Sequence, residues 1–387
     1  MNLTSLARNR GLRAAFVLVA AAGVGVIFWW RGPNWGQVGD AFTVVRWEWV
    51  VAAIGLNLVS VLVRAIAWTI VIDQALAKPH PRFPLVFSAF SIGLFANAVL
   101  PGRIGELARV GVLTRKLPGR NGAWAALIGT VFAHRLFDLI PSLLLVTYAL
   151  LTAKVPHWAY TSLEIVLGIG FGLFAFGLAS ARRHSRPVLD ELGQARRLVA
   201  MARQGLGVLH SPLPALGAAF FQCLGWFCQL LAVFFAMRAF HIYHGLPAAA
   251  LVLVLVNVAT IFPLWPGNVG LVQAAVALPL IAYGVAKAHG IAFGFGLQAI
   301  EASVGVGVGT LFLAREGLSF AMLRVMPGAE AVEMPDEEEA PAADRHPSKK
   351  ALSAAHLADR EESADREESD AAAKPRRPPS RRRERAP

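Results

Sequence analysis

The chain has 387 residues, of which 56% are hydrophobic and 16% charged, with a formal net charge of +12. Apolar stretches of about 20 residues are long enough to span a bilayer core, which excludes a soluble enzyme. They are continuous rather than alternating, which excludes an outer-membrane barrel. The positive charge lies in loops and in the far tail, so the positive-inside rule explains it without nucleic acid.

The first apolar run is residues 12–30, "LRAAFVLVAAAGVGVIFWW". It ends in "FWWRGP", which offers no small-residue cleavage site, so it reads as a retained helix rather than a signal peptide. Arg8, Arg10 and Arg13 place the N-terminus in the cytoplasm. Segment 31–48 is then an external loop, and Trp29, Trp30, Trp35, Trp47 and Trp49 read as interfacial anchors. Run 49–72 returns inward, so Lys78 and Arg82 are cytoplasmic. The next run, 83–100, ends at Pro101-Gly102. A full crossing there would put Arg103, Arg109, Arg115, Lys116 and Arg120 outside, against the positive-inside rule. A re-entrant hairpin over 83–117, dipping in and returning to the same side, removes the conflict.

Run 122–152 goes out and 160–180 comes in, which leaves the basic loop 181–211 in the cytoplasm. That loop reads equally well as an amphipathic surface helix after Pro187 or as a solvated positive-inside loop. Run 213–237 goes out and holds Cys223 and Cys228, which read as packing residues. Segment 247–284 breaks at "LWPGNVG" and reads as a second re-entrant hairpin, and 291–313 comes in. Beyond Met326 the chain loses its apolar residues, doubles "ADREES" and ends in "KPRRPPSRRRER", a composition that cannot bury a core. The expected fold is therefore an all-α polytopic membrane protein with about six spanning helices and two re-entrant hairpins. The membrane domain covers 1–325, and a disordered, charged cytoplasmic tail covers 326–387. Gly168/Gly172 and Gly305/Gly309 are G-x-x-x-G pairs that read as sites of close helix packing.

The two breaks share a pattern. Pro101, Gly102 and Gly105 frame one; Pro266, Gly267 and Gly270 frame the other, each as P-G-x-[IV]-G after an apolar run. Thirty residues after Gly105 stands Arg135, with Asp138 one turn on; thirty-one residues after Gly270 stands Glu301, with Gln298 one turn before. The halves 12–152 and 160–313 run in opposite senses, as in the inverted-topology repeats of transporters, whose sites lie at broken helices near the midplane.

Ionisable side chains within such helices are costly and face an interior cavity. The candidates for a binding pocket are Arg103, Glu106, Arg109, Arg135 and Asp138 at the first break, and Asn268, Gln273, Gln298 and Glu301 at the second. The arginines suit a phosphate, because a guanidinium donates two parallel hydrogen bonds. A half-helix beginning after Pro101-Gly102 would add N–H groups and a positive dipole end. Glu106 and Glu301 would orient the arginines or bind a cation or proton. Arg135 and Asp138 also fit a structural ion pair within one turn, and Arg64 divides evenly between structure and site. The membrane core holds no H-E-x-x-H, C-x-x-C, G-x-S-x-G or Walker signature, so no catalytic residue, metal or cofactor is expected.

"ANAVLPGRIGELARV", "HRLFDL" and "FPLWPGNVGLVQAA" resemble the lysylphosphatidylglycerol synthase transmembrane region family, also called flippase-like, over most of residues 10–315. In bifunctional members such a region moves an aminoacylated phospholipid between leaflets while a soluble domain makes it; the 326–387 tail is too short and polar for that domain. The resemblance implies translocation alone and carries over Arg103, Glu106, Arg109, Arg135 and Asp138. The expectation is a non-enzymatic translocator of an anionic phospholipid or lipid-linked headgroup in a bacterial-type inner membrane, with both termini cytoplasmic. Its partners would be membrane lipids and an envelope-biosynthesis protein, not nucleic acid. The alternatives are a secondary transporter of a small anion and a non-transporting partner of an envelope lipid or glycan synthase.

Overall fold

The computed structural model describes residues 34–100, 104–117, 123–182, 207–261 and 266–317. The expected first helix (12–30), Pro101 to Arg103, most of the basic loop and the tail lie outside them. Among the described residues there are ten α-helices and no strand. They are α1 (Trp35–Thr43), α2 (Trp47–Ala75), α3 (Phe83–Val99), α4 (Gly105–Lys116), α5 (Ala123–Thr152), α6 (His157–Arg182), α7 (Pro212–Ala239), α8 (Leu246–Ala259), α9 (Leu271–Ile281) and α10 (Lys287–Arg315). Five of them, α2, α5, α6, α7 and α10, are long and apolar enough to cross a membrane. They coincide with five of the expected runs.

α1 corrects the reading of 31–48 as a plain loop. Asn34 caps this short helix, its side chain accepting from the backbone N–H groups of Gly36 and Gln37. Val38 and Ala41 then anchor it in the core.

α2 and α7 form the central antiparallel pair. Arg46 N–H donates to Ala239 O at one end (3.0 Å), and Ser60 Oγ donates to Gly225 O in the middle (2.7 Å). Hydrophobic packing divides into two clusters. One gathers Trp68, Ile92 and Leu113 from α2, α3 and α4. The other gathers Met237, Leu251, Leu280 and Phe293 from α7, α8, α9 and α10.

α3 and α4 form a hairpin whose legs end together. Glu316, just past α10, accepts from Ser88 Oγ in α3 (2.9 Å) and pairs with Lys116 Nζ at the end of α4 (2.9 Å). The second hairpin, α8 and α9, closes likewise: the rings of His244 and Tyr283 lie 5.1 Å apart, and Tyr283 Oη accepts from Lys154 N–H at 2.8 Å. The first hairpin is thus anchored where α10 ends, and the second where α5 ends and α10 begins. They enter the bundle from opposite ends.

Glycine packing is partly as expected. A Cβ at Gly309 would run into Phe95, and one at Gly305 would touch Leu94 and Ala98, so α10 lies close on α3. Gly168 and Gly172 meet nothing among the described residues; it is Gly170 and Gly177 that seat α6 on Leu143 and Leu136 of α5. Both pairs fit a small-residue pattern, but only one faces a neighbour. Cys223 and Cys228 are free thiols within α7, Cys228 buried.

Candidate functional site

α2, α3, α4 and α5 surround a cleft of about 360 Å³ of atom-free space. Its shape begins with two glycines. A Cβ on Gly93 or on Gly105 would strike the other's carbonyl oxygen, so α3 and α4 meet at backbone contact. Asn97 Oδ1 accepts from Gly105 N–H (2.9 Å) and ties the start of α4 to the end of α3. That bond takes one of the N–H groups expected to face an anion. Glu106 stands in the first turn of α4, the end of a helix dipole that favours a carboxylate.

Six ionisable side chains meet here. Asp138 Oδ1 accepts from Arg64 Nη2 (2.9 Å), from Trp226 Nε1 (2.9 Å) and from Gln222 Nε2. Its Oδ2 accepts from Arg135 Nη1 (3.0 Å), and His134 Nδ1 lies 4.0 Å away. Arg135 also pairs with Glu106, and Glu106 with Arg109. Three guanidiniums thus face two carboxylates, leaving one positive charge in excess among the described residues.

The three arginines are not equivalent. Arg109 is 4% exposed and lies 4.4 Å from the Trp68 ring centre and 5.4 Å from that of Phe90. Arg64 lies 5.3 Å from the Trp226 ring centre, with Gln229 as a second partner at 3.4 Å. Both are held by a carboxylate and an aromatic face. Arg135 is 50% exposed although it sits mid-helix in α5.

Of the expected site residues, Glu106, Arg109, Arg135 and Asp138 converge on this cleft, and Arg103 lies outside the described residues. Arg135 and Asp138 pair within one turn and also line the cleft. Arg64 belongs to the cleft too. Its partners Trp226 and Gln229, and Gln222 on Asp138, were missed, though their spacing places all three on one face of an apolar helix.

The second break is built separately, and none of its described residues lines the cleft. Gly267 and Gly270 have φ of 70° and 93°, which favours glycine. Gln273 Oε1 accepts from Gly270 N–H (2.5 Å), Gln273 Nε2 donates to Gln298 Oε1 (2.7 Å), and Gln298 Nε2 donates to Gly267 O. These amides hold the break in shape. Asn268 is buried in the turn. Glu301 stands one turn beyond Gln298, away from the arginines.

A helix as apolar as α2 that still buries an arginine against an aspartate belongs in a bilayer, and with four similar helices beside it the molecule is a multi-pass helical membrane protein. The model for the lysylphosphatidylglycerol synthase TM region matches residues 14–309, and the chain belongs to that family. It is 27% identical over 153 residues to a UPF0104 membrane protein of Pyrococcus horikoshii, covering 40% of this chain and 44% of that one. The match thus spans less than half of that relative. No solved structure matches significantly.

Proposed function

We propose that the protein moves an anionic phospholipid, or a lipid-linked anionic headgroup, between leaflets without an ATPase of its own. The observation that carries this reading is the setting of Arg135. Its half-exposed guanidinium lies at the cleft, while Phe132 on the preceding turn is 64% exposed and Leu107 of α4 is 39% exposed. A charged cleft beside an apolar surface suits an amphipathic ligand whose phosphate enters and whose tails stay in lipid. A small soluble anion has no use for such a rim.

The phosphate would take Arg135 from its two carboxylates, forming bidentate charge-assisted bonds. Arg64 and Arg109 stay fixed by their aromatic partners and set the field. The single excess charge matches a phosphodiester monoanion. Exchange at Arg135 also unties α4 from α5, because Arg135 is the ion-pair link between Glu106 and Asp138. Opposed hairpins are the geometry an inverted repeat would produce, and they supply two elements that can alternate. The reading places the protein in a cytoplasmic-type membrane with both termini inside and gives it no catalytic step. The lipid itself would come from a separate envelope-biosynthesis protein.

The test is lipid movement by the full-length protein in liposomes, with fluorescent phosphatidylglycerol in one leaflet. Arg135→Ala should slow movement by about tenfold or more, the loss expected for a charge-assisted hydrogen bond. A phosphatidylcholine analogue should move more slowly than the anionic lipid. Unchanged movement in Arg135→Ala would remove the cleft from the path.

A further inference from the structure

Glu301 is the middle residue of the 29-residue α10. Arg64, Glu106, Arg109, Arg135 and Asp138 all ion-pair with one another in mid-bundle. Glu301, half-buried, has no ion pair and no hydrogen bond among the described residues.

Its surroundings follow from the face it occupies. Gln298, Glu301, Gly305 and Gly309 lie on one face of α10. Gln298 reaches Gly267 O at the second break. Gly305 and Gly309 lie on Leu94, Ala98 and Phe95 of α3. Glu301 falls between these contacts, where the end of α3 packs against Pro266–Asn268. The two broken elements meet there.

Among the described residues no charge compensates it. The described elements that pack most extensively on α10 are α1, α2, α3, α7 and α9, and Gln298 reaches the Pro266–Asn268 turn. α3, α9 and the turn have no ionisable residue. α1, α2 and α7 carry Asp40, Glu48, Arg64, Asp73, Cys223, Cys228 and Arg238, none of which hydrogen-bonds or ion-pairs with Glu301. α4 meets the far end of α10, through Lys116 and Glu316. An unpartnered carboxylate at mid-bilayer is costly, whereas the protonated acid costs little. Among the described residues no group of acidic, histidine or cysteine side chains stands with Glu301 to hold a metal ion.

We infer that Glu301 binds and releases a proton where α3 meets the second break, and that this exchange couples lipid movement to a proton gradient. The coupling rests on the translocator reading; the proton site does not. Two readouts on the full-length protein in liposomes separate them. Infrared difference spectra should show a carboxylic-acid C=O stretch that vanishes reversibly from acidic to alkaline buffer and is missing in Glu301→Gln. An imposed pH gradient should speed movement of labelled phosphatidylglycerol severalfold in the native protein. In Glu301→Gln that response should be lost while gradient-independent movement persists. Absence of a titrating band at Glu301, or a gradient response that survives Glu301→Gln, overturns the inference. A response to sodium in place of protons overturns the choice of ion. A titrating band in a protein that moves no lipid keeps the proton site and overturns the translocator.

Discussion

Asp138 carries the largest share of order at the residue scale. It accepts from Arg64, Arg135, Gln222 and Trp226, which come from three helices. Removing one partner of a buried ion pair costs about 3–5 kcal/mol, because the other charge is left uncompensated. Asp138→Asn should therefore lower the thermal stability of the detergent-solubilised protein by roughly that amount. Adding Arg64→Met should recover much of the loss, since the stranded cation is then gone. Equal stability of Asp138→Asn and the native protein would mean that Arg64 finds solvent instead. The Arg135 and Asp138 pair was legible in the sequence because three residues on a helix share a face. The Arg64 and Asp138 pair was not: 74 residues separate them, and periodicity does not say which helices are neighbours.

At the scale of elements, the hairpin of α3 and α4 is fastened by one carboxylate. Burial pushes the Glu316 carboxyl up, but the hydrogen bonds from Lys116 and Ser88 outweigh it, with Lys116 and Arg315 adding their charge, and hold it below its ordinary value. A carboxyl lowered on folding stabilises above its unfolded value, and the contribution is lost as pH falls through the folded one. Acidification should therefore lower amide-exchange protection at the end of α4, and Glu316→Gln should show no such step. Lys116 is 43% exposed, so the fastening contributes at most about 1 kcal/mol. A pH step that persists in Glu316→Gln would assign it to another group. The five described spanning helices were legible from their apolar runs to within a few residues. α1 was not, because a short helix set by an Asn34 cap leaves no long run. The G-x-x-x-G pairs mark close packing only where the phase of the helix turns them inward, and the sequence does not carry that phase for α6.

For the whole molecule, the account depends on two hairpins that enter from opposite ends and return. Charge made the first hairpin legible: a cationic stretch after an apolar run belongs on the side it came from. What charge did not reveal is that the polar residues of the second break serve the break itself, while the cleft lies between the first hairpin, α2 and α5. The most direct test is labelling of single cysteines with a membrane-impermeant thiol reagent on intact cells, in a background with Cys223 and Cys228 replaced. The sites are Ala77→Cys before the first hairpin, Gly119→Cys after it, and Ala286→Cys before α10. The account predicts that the cysteines at 77 and 119 are both shielded from the outside and the one at 286 is labelled. Labelling at 119 with shielding at 77 would mean that the first hairpin crosses the membrane, and would contradict the account.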